Sequence, residues 1–460
     1  MDYREKPLLL VIFGITGDLA ARKLLPALYA LRKKNQLPER MRIVGLSRQT
    51  VLPDELYETL RQRMAGKDFD EDAVRYLRSV TDMVQLDMEN PEDYARLRTQ
   101  LHDVTKELGP GASRLYYLSI PAQAFTAVVS HLGQTGHNEP FEEDADRPRI
   151  LVEKPFGYDT QSAHELIDVL NASFSEQQVF RIDHYLAKET AQNILTFRFQ
   201  NPLFQSIWNA RHIESIRVSA FETIGIEGRA NFYEKTGALR DFLQSHLLQL
   251  LALITMENPG RLDSTNIHRA KLRLLDSIAT VEEHEVDAVT CRGQYDSYRQ
   301  EVANPVSRTE TFARLCLTID NEQWRGVGVT LETGKGLAEK LSEVYVRFRP
   351  TAESTGTNAL VFRLQPREGI TLLLQAKQPG LYDDTEEVEM DFDYAKSFGD
   401  TSEAYERVII DAIRGEQALF ASSAEVLSSW RIVENVLKRW AQTDEGLRHY
   451  AIGAASDTIV

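Results

Sequence analysis

Cysteine is scarce in this chain: two residues in 460, Cys291 and Cys316. That excludes a disulfide framework and fits a reducing compartment. Both cysteines fall in strand-like apolar contexts and are expected as buried thiols. Long hydrophobic runs are missing as well. The apolar stretch 8–13 is far short of the roughly 20 residues a membrane span needs. It leads into Gly14-Ile15-Thr16-Gly17-Asp18 rather than a small-residue cleavage site, so it reads as a first strand and not a signal peptide. The cytoplasm is the expected location. Positive charge is in deficit, with a formal net charge of −16. Nucleic acid and anionic membrane surfaces are therefore poor partners, and an anionic ligand has to be held by a local cluster of cations. No His, Cys or carboxylate group has the spacing of a metal site, so no metal is expected. Internal repeats, low-complexity tracts and linkers are absent too.

What remains is the composition of a soluble globular protein, 42% hydrophobic and 27% charged, with length for two or three domains. Apolar runs at 7–13, 41–47, 83–87, 114–120, 149–154 and 179–182 read as strands. Between them lie helical patterns at 19–34, 53–64, 71–80, 91–108, 122–132 and 161–172. Such alternation predicts a Rossmann-like, doubly wound parallel sheet. The pattern then changes. Strands are expected at 213–220, 286–291, 312–319, 326–331, 344–349, 360–364 and 370–377, with few helices between them. A large, mainly antiparallel sheet follows from that. Helices return at 239–256, 402–414 and 424–440. The boundary is placed at 180, giving a nucleotide-binding domain 1–180 and a β+α substrate and dimerisation domain 181–460.

Gly14 and Gly17 have the spacing Gly-x-x-Gly-x-x-Ala between the first strand and the first helix. Small residues there let the turn close and bring a helix N-terminus against a pyrophosphate. Alone, the motif also fits a plain turn; after the first strand of an alternating pattern, it favours a dinucleotide. The second strand ends in Gly45-Leu46-Ser47-Arg48, without the carboxylate that accepts from the ribose of NAD. Arg48 and Ser47 are suited to a 2′-phosphate, which favours NADP over NAD, although Arg48 also reads as a surface residue.

Residues 181–189 read Arg-Ile-Asp-His-Tyr-Leu-Ala-Lys-Glu and join a strand end to a helical pattern at 189–197. They bring Asp183, His184, Tyr185 and Lys188 together. On a helix, His184 and Lys188 share one face and offer two donors to an anion such as a phosphate. A capped, solvated helix start is the alternative. His246 lies in an otherwise apolar helical pattern, where by itself it reads as a core or surface residue.

Seven motifs occur in order: Gly-x-x-Gly-Asp-Leu-Ala-x-Arg-Lys (14–23), Glu-Lys-Pro-Phe-Gly (153–157), the 181–189 stretch, Glu-Thr-x-Gly-x-Glu-Gly-Arg (222–229), Arg-Asp-x-x-Gln-x-His-Leu-Leu-Gln (240–249), Arg-Gly-Gln-Tyr (292–295) and Thr-Gly-Lys-x-Leu-x-x-Lys (333–340). Together they resemble the glucose-6-phosphate dehydrogenase family. The resemblance implies oxidation of glucose 6-phosphate to 6-phosphogluconolactone with hydride transfer to NADP, the first step of the oxidative pentose phosphate pathway. It implies His246 as general base and Asp183 as the carboxylate that orients it. His184, Tyr185 and Lys188 are implied on the phosphate, Lys335 and Lys340 near phosphate and sugar, Glu222 and Asp241 on sugar hydroxyls, and Lys154 between cofactor and sugar. Candidate cofactor contacts are Gly14, Thr16, Gly17, Asp18, Leu19, Ser47, Arg48, Asp87, Met88 and Lys154. The chemistry agrees: a histidine suits removal of the anomeric hydroxyl proton while hydride leaves, and a carboxylate on its other nitrogen fixes the tautomer.

Departures from the family pattern are Ala187 for the usual Gly, Ser245 for Asn, the Gly-Ile-Thr-Gly turn, and Asn231. After Tyr450 the usual Gly-Pro segment is missing, so no second, structural nucleotide site is expected. A homodimer or dimer of dimers is expected from the large sheet. Two other readings are a related dehydrogenase for another sugar phosphate and a non-catalytic NADP-binding regulator.

Overall fold

The computed structural model describes residues 2–66, 69–142, 145–353, 356–399 and 402–459. Two compact units emerge. The first comprises Met1–Gly157, Gln161–Ala187 and Ser402–Ser423; the second, Tyr158–Thr160, Lys188–Thr401 and Ala424–Val460.

In the first unit, β1 (Leu8–Phe13), β2 (Met41–Ser47), β3 (Thr81–Gln85), β4 (Ser113–Leu118), β5 (Arg149–Val152) and β6 (Val179–Arg181) form one sheet. Its order is β3-β2-β1-β4-β5-β6, and all pairs are parallel. This is the doubly wound Rossmann order. All six side chains of β1 are buried, as a central parallel strand requires. Period-two alternation divides them between two cores. Leu8, Leu10 and Ile12 join one with Leu24, Leu28 and Ile409, and Leu9, Val11 and Phe13 join the other with Leu97, Val128 and Leu170. Burying six such side chains contributes on the order of 10 kcal/mol before chain entropy is subtracted. Helix Ala404–Arg414 covers the first face. It returns to this unit from far along the chain, which local periodicity does not announce.

The second unit holds β7 (Ile213–Phe221), β8 (Thr290–Tyr295), β9 (Phe312–Leu317), β10 (Gly328–Gly334), β11 (Leu341–Phe348), β12 (Ala359–Gln365), β13 (Gly369–Lys377), β14 (Thr385–Asp393) and β15 (Leu447–Tyr450). They form a sheet of order β14-β13-β12-β11-β7-β10-β9-β8-β15. Pairing is antiparallel except for β7 with β10 and β8 with β15. The helical segments Leu239–Leu247 and Leu248–Thr255 continue one another, and the former lies against β7, β9 and β10.

Several expectations need correction. The apolar run 286–291 is not one strand: Val286–Val289 forms a helical turn and β8 begins at Thr290. A short apolar run does not distinguish the two by periodicity. Strand β14 was not foreseen because five acidic residues interrupt its pattern, and it is exposed along most of its length, as a solvated edge strand is. Strand β15 and helices Ala230–Ala238 and Ser264–Ser277 were also missed. Neither cysteine is a fully buried thiol: Cys316 is exposed on the face of β9 that the core does not cover, and Cys291 is half-buried against the Tyr295, Phe312 and Ile459 cluster.

Candidate active site

In the first unit the register sets Phe13 level with Leu46 and Leu118, so β1, β2 and β4 end together. The chain leaves β1 through Gly14 at φ +72°, where a Cβ would collide with the Ser119 carbonyl after β4. Glycine is needed there because two strand ends converge at the point where strand order reverses. A cavity of about 850 Å³ opens at these ends. Its lining includes Gly14, Thr16, Gly17, Ser47, Arg48, Asp87 and Met88. Thr16 Oγ1 lies 3.5 Å from Ser47 Oγ, which also accepts from Gln49 N at 3.2 Å. Arg48 is exposed at the rim. Size, glycine cradle and a terminal arginine fit a dinucleotide. Asp18, Leu19 and Lys154 do not line this cavity. Asp18 pairs with Arg22 at 2.5 Å, and Leu19 packs on the core. Sequence reasoning missed Gln85, Asp93, Arg96 and Ser119, which also belong to the lining; the strand ends at β3 and β4 were the available signal.

Also in this unit, Asp183 is buried, and its Oδ1 accepts from Tyr185 N at 2.9 Å and Leu186 N at 3.4 Å. Residues 184–187 form a turn, and the helix begins only at Glu189. The shared helical face expected for His184 and Lys188 is therefore not formed: Asp183 caps a single turn that ends before Glu189. His184 Nε2 lies 3.3 Å from Glu153 Oε2 and 3.1 Å from the Tyr405 hydroxyl, whose ring stacks on the imidazole at 4.4 Å. Tyr117 donates to Glu153 Oε1 at 2.5 Å. Burial and the neighbouring Glu153 carboxylate push both phenols, Tyr117 and Tyr405, upward in pKa, so they remain donors. Glu153, Tyr117 and Tyr405 were not singled out from the sequence. Glu153 stood beside Lys154 in a motif, whereas Tyr405 arrives on the returning helix without a local signal.

In the second unit, β7 and β10 run parallel with Phe221 opposite Gly334. Glu222 and Lys335 thus leave the sheet side by side, and their side chains form an ion pair. Lys335 is only 2% exposed, so removing that carboxylate would leave a buried group without its ionic partner. Its position is fixed by the main chain: Lys335 N donates to Thr311 O at 2.9 Å, and Lys335 O accepts from Tyr450 at 2.7 Å. The ammonium sits 5.4 Å from the Tyr233 ring and 6.0 Å from that of Phe242. The Phe242 ring in turn meets the His246 ring edge-on at 5.3 Å. His246 is buried on the Leu239–Leu247 segment, which is a π-helix and also carries Asp241. Such i→i+5 segments are uncommon and concentrate at functional sites. Ser245 turns its hydroxyl back to Asp241 O at 3.1 Å. Glu222, Lys335 and His246 are therefore gathered around Tyr233 and Phe242, with Asp241 next to Phe242 on the same segment. Lys340 is exposed just before β11. Lys188 stands at the residue before helix Glu189–Gln200, with its ammonium 3.9 Å from Glu368.

Family models for the glucose-6-phosphate dehydrogenase NAD binding domain and C-terminal domain match residues 11–193 and 195–458. The chain belongs to the glucose-6-phosphate dehydrogenase family. A glucose-6-phosphate 1-dehydrogenase from Chlamydia muridarum (strain MoPn / Nigg) is 38% identical, covering 97% of this chain and 93% of the relative. A solved glucose-6-phosphate dehydrogenase in complex with its substrate glucose-6-phosphate superposes with a TM-score of 0.91 at 31% identity, covering 98% and 96% of the two chains. Another, from Mycobacterium avium, gives 0.83 at 30% identity, with 98% and 95% covered. The match to the NAD binding domain over residues 11–193 gives this dehydrogenase family member a nicotinamide cofactor. No helix among the described residues is long and apolar enough to cross a membrane. No group of three or more His, Cys, Asp or Glu suited to a metal ion occurs among them.

Proposed function

We propose that this chain oxidises D-glucose 6-phosphate at its anomeric carbon to 6-phospho-D-glucono-1,5-lactone, with NADP as the preferred acceptor and NAD as a weaker one. The observation that supports this reading best is the convergence of Glu222, Asp241, His246 and Lys335 in the second unit of a family member. Bound nicotinamide supplies the hydride acceptor. His246 takes the proton of the anomeric hydroxyl, and Asp183 orients the imidazole. Glu222 and Asp241 accept from sugar hydroxyls. His184, Tyr185, Lys188, Lys335 and Lys340 serve the phosphate, and Lys154 serves sugar and cofactor. In a protein of net charge −16, a phosphate dianion needs several charge-assisted donors. Gly14, Thr16, Gly17, Asp87 and Met88, which line the cavity, hold the dinucleotide, and Ser47 and Arg48 select its 2′-phosphate.

A second copy of the chain is the proposed partner, as a homodimer or a dimer of dimers. The outer strands of the large sheet support this, since Met390 and Phe392 on β14 are exposed with Phe398 just beyond. The reducing-compartment cysteine usage supports a cytoplasmic location.

Steady-state kinetics with glucose 6-phosphate, glucose and galactose 6-phosphate, each with NADP and NAD, tests the substrate and cofactor together. Loss of two or more charge-assisted bonds makes glucose poorer by about 10³-fold in kcat/KM. Equal kcat/KM for glucose and its 6-phosphate contradicts the phosphate roles.

A further inference from the structure

We propose that Glu310 is a positioning residue for the reaction: it caps the π-helical segment Leu239–Leu247 and so keeps Asp241 and His246 on one face of it. The proposal rests on the reading of His246 as the base. Glu310 stands two residues before β9 and is 5% exposed. Its carbonyl accepts from Ala238 N at 3.0 Å, and its Oε1 accepts from Leu239 N at 2.9 Å. One residue thus satisfies two of the N–H groups that a helix start leaves without partners. Gly237, at φ 62° and ψ −179°, kinks the chain inside Ala230–Ala238, two residues before this segment begins. A Cβ there would come within 2.7 Å of Glu310 Oε2, so the kink and the carboxylate occupy the same space. Burial pushes the Glu310 carboxyl up in pKa, opposed by the Leu239 N–H and by Arg240 and Arg292. A carboxyl at this depth is costly unless it is hydrogen-bonded, and the Leu239 N–H supplies such a bond.

The register explains what they do. In an α-helix, residues five apart are turned about 140° from each other. The i→i+5 hydrogen bonds of a π-helix stack such residues instead, which brings Asp241 and His246 to one side. That register is rare, and the anchor at its first turn holds the start of the segment in place. The next residue extends the effect. Thr311 O accepts from Lys335 N at 2.9 Å, and Thr311 Oγ1 lies 2.7 Å from the Tyr450 hydroxyl that donates to Lys335 O. Residues 310 and 311 therefore fix the base-bearing helix and the buried lysine from a single point of backbone.

The test is kcat of the full-length chain at saturating glucose 6-phosphate and NADP, below the melting midpoint of each variant. Glu310→Ala is expected to lower kcat roughly 30-fold through misplacement of the base, leaving KM for NADP within about twofold. Glu310→Gln keeps an acceptor for Leu239 N and is expected to stay within about threefold of the parent. In a His246→Asn background, Glu310→Ala should add less than about twofold, since it acts through that ring. A folded Glu310→Ala variant with kcat within threefold of the parent overturns the proposal, as does a full further 30-fold fall in the double variant. If Glu310→Ala does not fold, Glu310→Asp, which withdraws the carboxylate by one methylene, is judged by the same threefold limit. A His246→Asn variant that keeps its kcat sinks the base assignment and this proposal together. Collapse of that variant with an unaffected Glu310→Ala sinks this proposal alone.

Discussion

The two sheets deliver their functional groups in the same way but with different chemistry. Each uses the carboxyl ends of adjacent parallel strands, β1 with β4 in the first unit and β7 with β10 in the second. In the first unit those ends present glycine and backbone, with Gly14 against the Ser119 carbonyl, and leave a large cavity. In the second they present opposite charges, Glu222 and Lys335, beneath a helix that carries a buried histidine. A dinucleotide offers long stretches of phosphate and ribose to main-chain donors, so small residues serve it. A sugar phosphate is compact and must be distinguished from close relatives, which takes side chains whose hydrogen bonds are lost when one group is missing. Side-chain deletions should accordingly cost most in the second unit.

Three changes break or sharpen that contrast. The largest effect is expected from His246→Asn: kcat falls about 10³-fold or more, while KM for glucose 6-phosphate moves less than about threefold. A loss below tenfold, measured by steady-state kinetics, removes the distinction between the units. Next is Arg48→Ala in the first unit. Loss of one charge-assisted contact raises KM for NADP about 10- to 100-fold, with less than a twofold change for NAD. Equal shifts for both cofactors would show that the β2 end does not read the 2′-phosphate.

The smallest effect concerns stability rather than turnover. His137, fully buried in the first unit, lies 2.9 Å from the Tyr116 hydroxyl and 3.0 Å from Tyr94 O. Burial lowers its pKa from 6.5 to about 4. The folded state therefore keeps it neutral, and its contribution is present above pH 6.5 and lost as pH falls towards 4. That amounts to roughly 3 kcal/mol. Urea unfolding across this range should show the loss, and His137→Gln should flatten it. An unchanged slope in the variant argues for other titrating groups.

Legibility differed between the units for physical reasons. The first sheet follows from uninterrupted apolar strands separated by amphipathic helices, and the bounds of β2 and of helix Pro53–Met64 coincide with those read from the sequence. The Gly14 turn and Arg48 were visible because each sits at a strand end. Helix Ala404–Arg414 was legible at 402–414, but its return to the first unit with Tyr405 was not, because no local pattern encodes which unit a helix joins. In the second unit β14 hid behind acidic side chains. The functional set there had no periodic signature: Glu222, Lys335 and His246 are separated by long stretches of chain and became candidates through motif resemblance. The π-helical register under His246 was also invisible, since its apolar spacing reads as an ordinary helix.

The most direct test of the whole account is a crystal structure of the full chain with glucose 6-phosphate and NADP bound. A ring nitrogen of His246 is expected about 3 Å from the anomeric hydroxyl, with the Asp183 carboxylate on the other ring nitrogen. A sugar bound with its anomeric hydroxyl beyond reach of His246, or an imidazole with no contact to Asp183, would contradict it.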